Sequence, residues 1–195
     1  MLQKTLRPAV TKFITPFCKA LIKVGVTADA ITLLGSAGSC LSAVFFFSNG
    51  RFFIGTLIVT LFVLSDLLDG TIARLLNSGG TKWGALIDST LDRVTDSIII
   101  ISLLIYFRNR DEIISALLLI TLVSGFLISY IRARAEGLGM DCSIGIAERT
   151  ERLIILLVGT GLYGLGITFA LATALWLLAA LSLVTIAQRL IAVRK

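Results

Sequence analysis

The sequence predicts an all-α, polytopic membrane protein: six transmembrane helices preceded by an N-terminal amphipathic helix at the membrane interface. The chain has 195 residues, of which 56% are apolar. Its mean hydropathy of +0.96 is too high for an ordinary soluble domain. The charged residues fall between apolar runs, and the longer runs reach the roughly 20 residues that a bilayer-spanning helix needs. We therefore predict one membrane domain over 1–195, with an interfacial segment at 1–26 and a six-helix unit at 27–195.

The first segment has helical amphipathicity. At 100° per residue, three lysines share one face and the apolar side chains lie opposite. The lysines are Lys12, Lys19 and Lys23, and the apolar residues are Val10, Phe13, Ile14, Phe17 and Leu21. This pattern predicts a helix that lies on the membrane with its lysines toward anionic headgroups. A solvated helix that binds a protein partner is the alternative.

Six apolar segments follow and define the predicted spans. The second is expected to continue unbroken through Asp66 to about Leu76. The third is acidic in its first half, and a glycine cluster at 159–166 is expected to form the turn before the last span. The predicted spans are 30–50, 52–76, 83–107, 113–131, 148–163 and 168–190.

The distribution of basic residues predicts the orientation. With both termini in the cytoplasm of a cell that carries this protein in its plasma membrane, 15 of the 18 lysines and arginines lie on the inner side. The other three are Arg51, Arg108 and Arg110. Since cytoplasmic loops are enriched in Lys and Arg, topology accounts for the net charge of +6, and no nucleic-acid partner is predicted.

Four aspartates flank a glycine-containing turn at 77–80. Asp66 and Asp69 are three residues apart, and Asp88 and Asp92 are four apart, so each pair shares a helix face. If the turn makes the two helices antiparallel, the acidic faces meet. Four close carboxylates repel one another unless cations bind, and hard oxygen ligands favour Mg²⁺, Mn²⁺ or Ca²⁺. The alternative is a set of helix-end carboxylates paired with Arg74 and Arg93.

The chain has no histidine, so carboxylates, Lys, Tyr or Cys must do any acid–base work. Asp92, at the end of the acidic face, is suited to accept a proton from an attacking hydroxyl. Asp96, one turn further, is either an outer residue of the site or a structural ion-pair partner. The three cysteines, Cys18, Cys40 and Cys142, lack metal-ligand spacing and are predicted to be reduced.

This acidic segment resembles the signature of the CDP-alcohol phosphotransferases, D-x2-D-G-x2-A-R followed by G-x3-D-x3-D. All eight residue types are present: Asp66, Asp69, Gly70, Ala73, Arg74, Gly84, Asp88 and Asp92. Nine residues separate Arg74 from Gly84, where the usual pattern has eight. The resemblance implies a homodimeric enzyme in which the four acids hold two Mg²⁺ or Mn²⁺ ions. It also implies that Asp92 is the base and that CMP leaves from a CDP-linked lipid.

The donor lipid is expected to bind along the same signature. Small residues at Gly70, Ala73 and Gly84 leave room for a nucleotide, and Arg74 can contact its diphosphate. Upstream, Asp29 and Thr32 match family positions that contact cytidine, although Ala28 replaces the usual proline. The alternative for Asp29 is a helix N-cap.

The acceptor is expected to bind near the ends of the fourth, fifth and sixth spans. The segments ISYIRARAE and AERTERL resemble actinobacterial phosphatidylinositol-phosphate synthases, and such enzymes bind the phosphate of inositol phosphate at these basic positions. The residues are Ser129, Arg132, Arg134, Arg149, Arg152 and Arg189, beside Tyr130. Topological anchoring is the alternative. Arg132 and Arg134 lie about 200° apart on a helix, so both face one pocket only if the helix end unwinds.

The sequence thus predicts metal-dependent transfer of a phosphatidyl group from CDP-diacylglycerol to inositol phosphate. A phosphatidylglycerolphosphate synthase is the alternative within the class, because its acceptor also carries phosphate. Outside the class, a cation transporter would also place acids in a membrane, but near the midplane. A lipid-binding scaffold has no use for four acids. The small residues of 35–39 offer one possible dimer surface.

Overall fold

A computed structural model describes residues 15–75 and 81–194, apart from the side chains of Asp66, Leu67, Asp69 and Ala73. Within these two ranges the regular elements are all helices, which confirms the all-α prediction for this part of the chain. The helices are α1 (15–23), α2 (Ala28–Ser42), α3 (Phe52–Val63), α4 (Ser65–Leu75), α5 (Lys82–Phe107), α6 (Glu112–Gly137), α7 (Arg149–Gly164) and α8 (Phe169–Val193). A π-helical turn, Ala43–Phe47, extends α2.

Among the described residues, three helices have the length and apolar composition to cross a membrane: Ala28–Phe47, Glu112–Gly137 and Phe169–Val193. The other predicted spans fall on shorter or more polar helices. Helix α3 is apolar but has 12 residues, α7 has 16, and α5 has five charged side chains in its first 15 positions. A membrane protein is therefore supported, while the number of six spans stays a prediction.

The chain packs as two compact units. The first comprises the described residues of Met1–Leu41 and Val59–Thr95, and the second those of Ser42–Ile58 and Asp96–Lys195. In the first unit Cys18, Ile31 and Ile72 form a buried core that joins α1, α2 and α4. The Cys18 thiol donates to the Leu68 carbonyl at 3.8 Å. All three cysteines are free thiols, as predicted.

Helix α1 buries Cys18 fully against its own unit and leaves Phe17 56% exposed. Phe17 belongs to the face predicted to enter the membrane, and that orientation stays a prediction. The core of α2 and α4 accepts the small thiol at the centre of the contact, and Leu21 packs beside it. Lys19 and Lys23 are exposed, as predicted. The rest of this predicted segment, including Lys12, lies outside the described residues.

The prediction of one continuous helix from 52 to 76 was wrong, because the helix is interrupted at Leu64, between α3 and α4. The Ser65 hydroxyl donates to the Phe62 carbonyl at 2.6 Å, a local bond that competes with the helical ladder. A Cβ at Gly35 would lie 1.8 Å from the Ser65 Oγ, and one at Gly38 would lie 2.4 Å from the Phe62 ring. These two glycines of the predicted dimer surface therefore contact α3 and α4 of their own chain.

In the second unit α8 packs against both α6 and α7. The glycine cluster that was expected to form a turn lies mostly inside α7, where it permits close helix packing. A Cβ at Gly159 would meet the Ala174 Cβ at 2.4 Å, and one at Gly164 would meet the Phe53 backbone nitrogen at 2.4 Å. The turn comes later, at 165–168, where Gly166 has φ 95°. The two predicted helices are confirmed, with a later boundary between them.

Candidate functional site

A hydrogen bond at the start of α2 identifies the residue that caps this helix. The amide of Ala30 donates to the Thr27 hydroxyl at 3.2 Å, so Thr27 caps the helix. Asp29 lies in the first turn with an exposed side chain. The alternative that Asp29 is the N-cap was therefore wrong. Thr32 is buried and donates to the Ala28 carbonyl at 3.1 Å.

Asp29 lies directly beside the start of α5. A Cβ placed on Gly84 would be 3.2 Å from the Asp29 Oδ1 and 3.2 Å from the Thr81 Oγ1. Thr81 in turn accepts a hydrogen bond from the Gly84 amide at 2.9 Å, which caps α5. Two residues predicted to bind the nucleotide, 55 positions apart in sequence, thus lie in contact, and only a glycine leaves the carboxylate undisturbed.

The acidic signature lies on α4 and α5. Asp88 is exposed and Asp92 is partly buried, one turn apart on α5. The backbone positions 66, 69 and 73 belong to α4, but the side chains of Asp66, Asp69 and Ala73 and the predicted turn at 77–80 lie outside the described residues. Among the side chains that are described, no three of Cys, Asp and Glu converge to form a metal site. The arrangement of the four acids stays a prediction.

Helix α4 also positions Arg74 and Gly70. The Nη2 of Arg74 donates to the Thr71 Oγ1 at 3.1 Å, and Thr71 is 2% exposed. The bond ties the guanidinium of an exposed arginine back to its own helix. A Cβ at Gly70 would have no described atom within 4 Å, so none of the described residues covers α4 at this position.

Two buried arginines of the second unit meet on α6. Arg152 and Arg189 are 8% and 3% exposed. Arg189 donates from Nη1 to the Ile128 carbonyl, and the Arg152 Nη2 lies 4.0 Å from a Cβ built on Gly125. Ser129 donates to the Gly125 carbonyl at 3.0 Å. Three residues predicted to bind the acceptor therefore gather around residues 125–129.

The α6–α7 loop, residues 138–148, is held against α8 by hydrogen bonds to these two arginines and to the side chains of Thr185 and Gln188. Arg189 Nε donates to the Ile144 carbonyl at 2.9 Å, and Arg152 Nη1 donates to the Ala147 carbonyl at 3.0 Å. The Ala147 amide donates to the Thr185 hydroxyl of α8 at 3.2 Å, and the Ile146 amide donates to the side-chain oxygen of Gln188, also on α8, at 3.2 Å.

Gly145 fits this loop tightly, because its φ is +143° and a Cβ would lie 2.7 Å from the Thr185 Cγ2. Sequence reasoning missed Gly145, Thr185 and Gln188. Only the glycine gave a local signal, since the two polar residues look like ordinary members of a span.

Arg149 is held differently. Its Nε lies 3.3 Å from the Asp96 Oδ1, and the two side chains are 20% and 19% exposed. The partners come from α7 and α5, which makes this a long-range ion pair in the second unit. Of the two roles left open for Asp96, ion pairing is therefore observed.

Arg132 and Arg134 lie toward the end of α6, which stays helical to Gly137. The end therefore does not unwind, and their separation of about 200° around the helix persists. Arg132 pairs with Glu136 one turn away at 2.8 Å, with both side chains about half exposed. Arg134 is exposed on another side of the helix. The structure thus groups Arg152, Arg189 and Ser129, and does not place Arg132 and Arg134 on one face.

Burial gives this cluster its chemical character. A guanidinium removed from water must have its N–H groups bonded or paired, and Arg152 and Arg189 use backbone carbonyls for this purpose. Two guanidinium groups thus lie close to α6. Such a site favours an anion, and the planar fork of arginine suits phosphate oxygens.

Residues 25–193 match the sequence profile described as CDP-alcohol phosphatidyltransferase. Two curated relatives carry the name phosphatidylinositol phosphate synthase. The protein from Streptomyces avermitilis is 43% identical over 204 residues, which cover 100% of this chain and 83% of that protein. The protein from Mycobacterium tuberculosis strain H37Rv is 42% identical over 189 residues, which cover 94% of this chain and 87% of that protein.

Solved structures of the Mycobacterium tuberculosis phosphatidylinositol phosphate synthase share the fold. The crystal structure with CDP-DAG bound has a TM-score of 0.88 at 41% identity, and the match covers 93% of this chain and 94% of that one. The crystal structure in complex with manganese and citrate has a TM-score of 0.87 at 41% identity, covering 93% and 88%.

Proposed function

The chain belongs to the CDP-alcohol phosphatidyltransferase family, and from that membership we propose that it transfers the phosphatidyl group of CDP-diacylglycerol to inositol phosphate. CMP and phosphatidylinositol phosphate are the products. Relatives that match nearly the whole chain at 43% and 42% identity are phosphatidylinositol phosphate synthases. The observation that carries the acceptor assignment is the pair of buried arginines, Arg152 and Arg189, gathered on α6.

The donor lipid binds to the first unit. Asp29 and Gly84, in contact at the starts of α2 and α5, hold the cytidine with Thr32. The nucleotide binds against α4 at Gly70, and Ala73, three residues further along the helix, is assigned to the same site. Arg74, tied to Thr71, contacts the diphosphate with charge-assisted hydrogen bonds.

A divalent metal is part of this site, because a solved relative binds manganese. The donor set fits: Asp66, Asp69, Asp88 and Asp92 supply the carboxylate oxygens that Mg²⁺ and Mn²⁺ prefer, and we propose two ions per site. Ions bound there supply positive charge that offsets the diphosphate and the leaving phosphate oxygen. Asp88, exposed on α5, is accessible to such an ion.

Asp92 is the proposed base. It accepts the proton of the attacking inositol hydroxyl as that oxygen bonds to the phosphatidyl phosphorus. The bond from this phosphorus to the CMP oxygen breaks, and CMP leaves with the electron pair. Partial burial of Asp92 on α5 limits its contact with water, which favours transfer to the alcohol over hydrolysis.

The acceptor phosphate binds in the second unit. We assign it to Arg149, Arg152 and Arg189 with Ser129, and assign Arg132 and Arg134 to the rim of the site. A phosphorylated polyol needs several guanidinium groups, whereas a neutral polyol does not. The N-terminus of α7 adds to the attraction, because Glu148 makes no side-chain capping bond there and first-turn amides favour anions.

The whole chain forms one membrane domain in this proposal, with six spans and with both termini and the active site on the cytoplasmic side of the plasma membrane. The three long apolar helices support membrane insertion, and the distribution of basic residues supports the orientation. A homodimer is proposed from the family resemblance alone.

An acceptor panel tests the function. Purified protein with CDP-diacylglycerol and Mg²⁺ is given inositol phosphate, inositol, glycerol phosphate or serine, and CMP release is measured. CMP release that requires inositol phosphate and stops with EDTA is the expected result. A preference for glycerol phosphate would instead identify a phosphatidylglycerolphosphate synthase. Absence of metal-dependent CMP release with every acceptor would favour the transporter alternative.

A further inference from the structure

We infer that Asp96 is a positioning residue for the acceptor: its carboxylate orients the Arg149 guanidinium toward the phosphate of inositol phosphate. The inference rests on the proposed function, because it assigns a role within the same acceptor site. Asp96 lies outside the eight-residue signature, and the ion pair with Arg149 is the contact that gives it a function.

The position of Arg149 is unfavourable for a cation without such a partner. Arg149 is the first residue of α7, where the helix dipole is positive. Its side chain is only 20% exposed, so water screens the charge weakly. Neither effect stabilises a positive charge at this position. The Asp96 carboxylate, 19% exposed, supplies the compensating negative charge.

The geometry of the ion pair between Asp96 and Arg149 controls the orientation of the guanidinium group. The contact joins Oδ1 of Asp96 to Nε of Arg149 at 3.3 Å. All five N–H groups of a guanidinium lie in one plane, so fixing Nε fixes the plane in which Nη1 and Nη2 lie. Arg152 and Arg189 donate to backbone carbonyls, which no side-chain substitution removes. The contact between Arg149 and Asp96, 53 positions apart in sequence, is made by a side chain and can be removed by substitution.

Loss of that carboxylate has a specific kinetic consequence. Arg149 keeps its charge but loses the contact between its Nε and Asp96, which helps to fix the plane of the guanidinium, so acceptor binding weakens while donor binding and the chemical step change little. In an Asp96→Asn variant we expect the KM for inositol phosphate to rise about fivefold, with the KM for CDP-diacylglycerol and kcat within about twofold of wild type. An Asp96→Glu variant keeps the charge and should recover part of this loss.

A double-mutant cycle separates orientation from stability. Asp96→Asn is made alone and in an Arg149→Ala background, where it should raise the acceptor KM no further. Asp111→Ala is the structural control, because Asp111 caps α6 through the Ile114 amide at 2.9 Å. Its loss should lower thermal stability in detergent without changing the acceptor KM.

Three outcomes would overturn the inference. In the first, Asp96→Asn lowers thermal stability as Asp111→Ala does and leaves the acceptor KM unchanged, so the pair is only structural. In the second, the effects of Asp96→Asn and Arg149→Ala multiply, so Asp96 acts elsewhere. In both cases Arg149→Ala still raises the acceptor KM and the proposed function stands. In the third, Arg149→Ala leaves that KM unchanged, and the proposed role of Arg149 fails together with the inference.

Discussion

The Nε of Arg189 donates a hydrogen bond to the Ile144 carbonyl at 2.9 Å, so a buried side chain of α8 holds the α6–α7 loop in place. The same guanidinium donates from Nη1 to the Ile128 carbonyl on α6. One arginine therefore connects α6, the loop 138–148 and α8. Any ligand phosphate that binds Arg189 meets a group whose position is already fixed, which reduces the entropic cost of binding.

Replacing Arg189 should affect both stability and acceptor use. Arg189→Ala removes two hydrogen bonds from a charged donor and should lower the free energy of unfolding by about 3–6 kcal/mol, or about 1.5–3 kcal/mol for each bond. It should also raise the KM for inositol phosphate about ten- to a hundredfold. Thermal unfolding in detergent and acceptor saturation kinetics measure the two effects. The control is Arg194→Ala, an exposed arginine just after α8, and equal effects of the two variants would contradict the prediction.

The carboxylates of the signature should be required for turnover. Asp88→Asn keeps the shape of the side chain but removes a charge from the proposed metal site, so activity should fall below detection at every Mg²⁺ or Mn²⁺ concentration. Asp66→Asn should behave in the same way. Asp141→Asn, in the exposed part of the α6–α7 loop, is the matched control and should retain activity. Rescue of Asp88→Asn by high Mg²⁺ would show that the residue only tunes metal affinity.

Two glycines should respond differently to the same added methyl group. In Gly84→Ala the new Cβ would be 3.2 Å from the Asp29 Oδ1, so the carboxylate must shift even without ligand. In Gly70→Ala the Cβ has no described atom within 4 Å, so we expect a bound nucleotide to be what meets it. We expect both variants to raise the KM for CDP-diacylglycerol, with unfolding temperature reduced only in Gly84→Ala. An unchanged donor KM in both would remove these glycines from the donor site.

The helices followed from the sequence because apolar runs and their boundaries are local properties. The interruption of the helix at Leu64 was not predicted. The Ser65 hydroxyl bonds to the Phe62 carbonyl where Gly35 of α2 approaches, and this approach is a tertiary contact that has no signal in the sequence. Thr27 was not identified as the cap of α2, because Thr27 and Asp29 are both good capping residues. Helix propensity alone does not choose between them.

The acceptor role of the arginines stays a prediction, and their arrangement could not be predicted from the sequence. Spacing placed Arg132 and Arg134 on different sides of α6, and the structure keeps them there. The buried pair, Arg152 and Arg189, depends on contacts between residues far apart in sequence. The loop that they hold has neither an apolar run nor a helical periodicity in its sequence. Its packing on Thr185 and Gln188 therefore could not be predicted from the local sequence.

The proposed topology predicts the labelling of two loops. In a background without Cys18, Cys40 and Cys142, Ser143→Cys lies in the α6–α7 loop and Asn109→Cys between α5 and α6; both sites are exposed. A membrane-impermeant thiol reagent added to intact cells should label position 109 and not position 143, which should react only after lysis. Labelling in the reverse pattern would overturn the orientation inferred from the basic residues.

The last prediction separates donor recognition from acceptor recognition with two arginines. Arg74 is exposed on α4 and tied to Thr71, whereas Arg152 is 8% exposed and bonded to the Ala147 carbonyl at 3.0 Å. Arg74→Ala should raise the KM for CDP-diacylglycerol about tenfold, because a charge-assisted bond contributes about 1.5–3 kcal/mol. The KM for inositol phosphate should stay within about twofold.

Arg152→Ala should show the opposite kinetic pattern, with the acceptor KM raised and the donor KM nearly unchanged. Because Arg152 also holds the loop, its loss alone could raise the acceptor KM through disorder. Arg152→Lys separates the two effects, since a lysine keeps the charge but not the planar fork that binds phosphate oxygens. A normal unfolding temperature with a raised acceptor KM in Arg152→Lys would assign the guanidinium to phosphate binding. A normal acceptor KM in that variant would mean that charge alone suffices at this position.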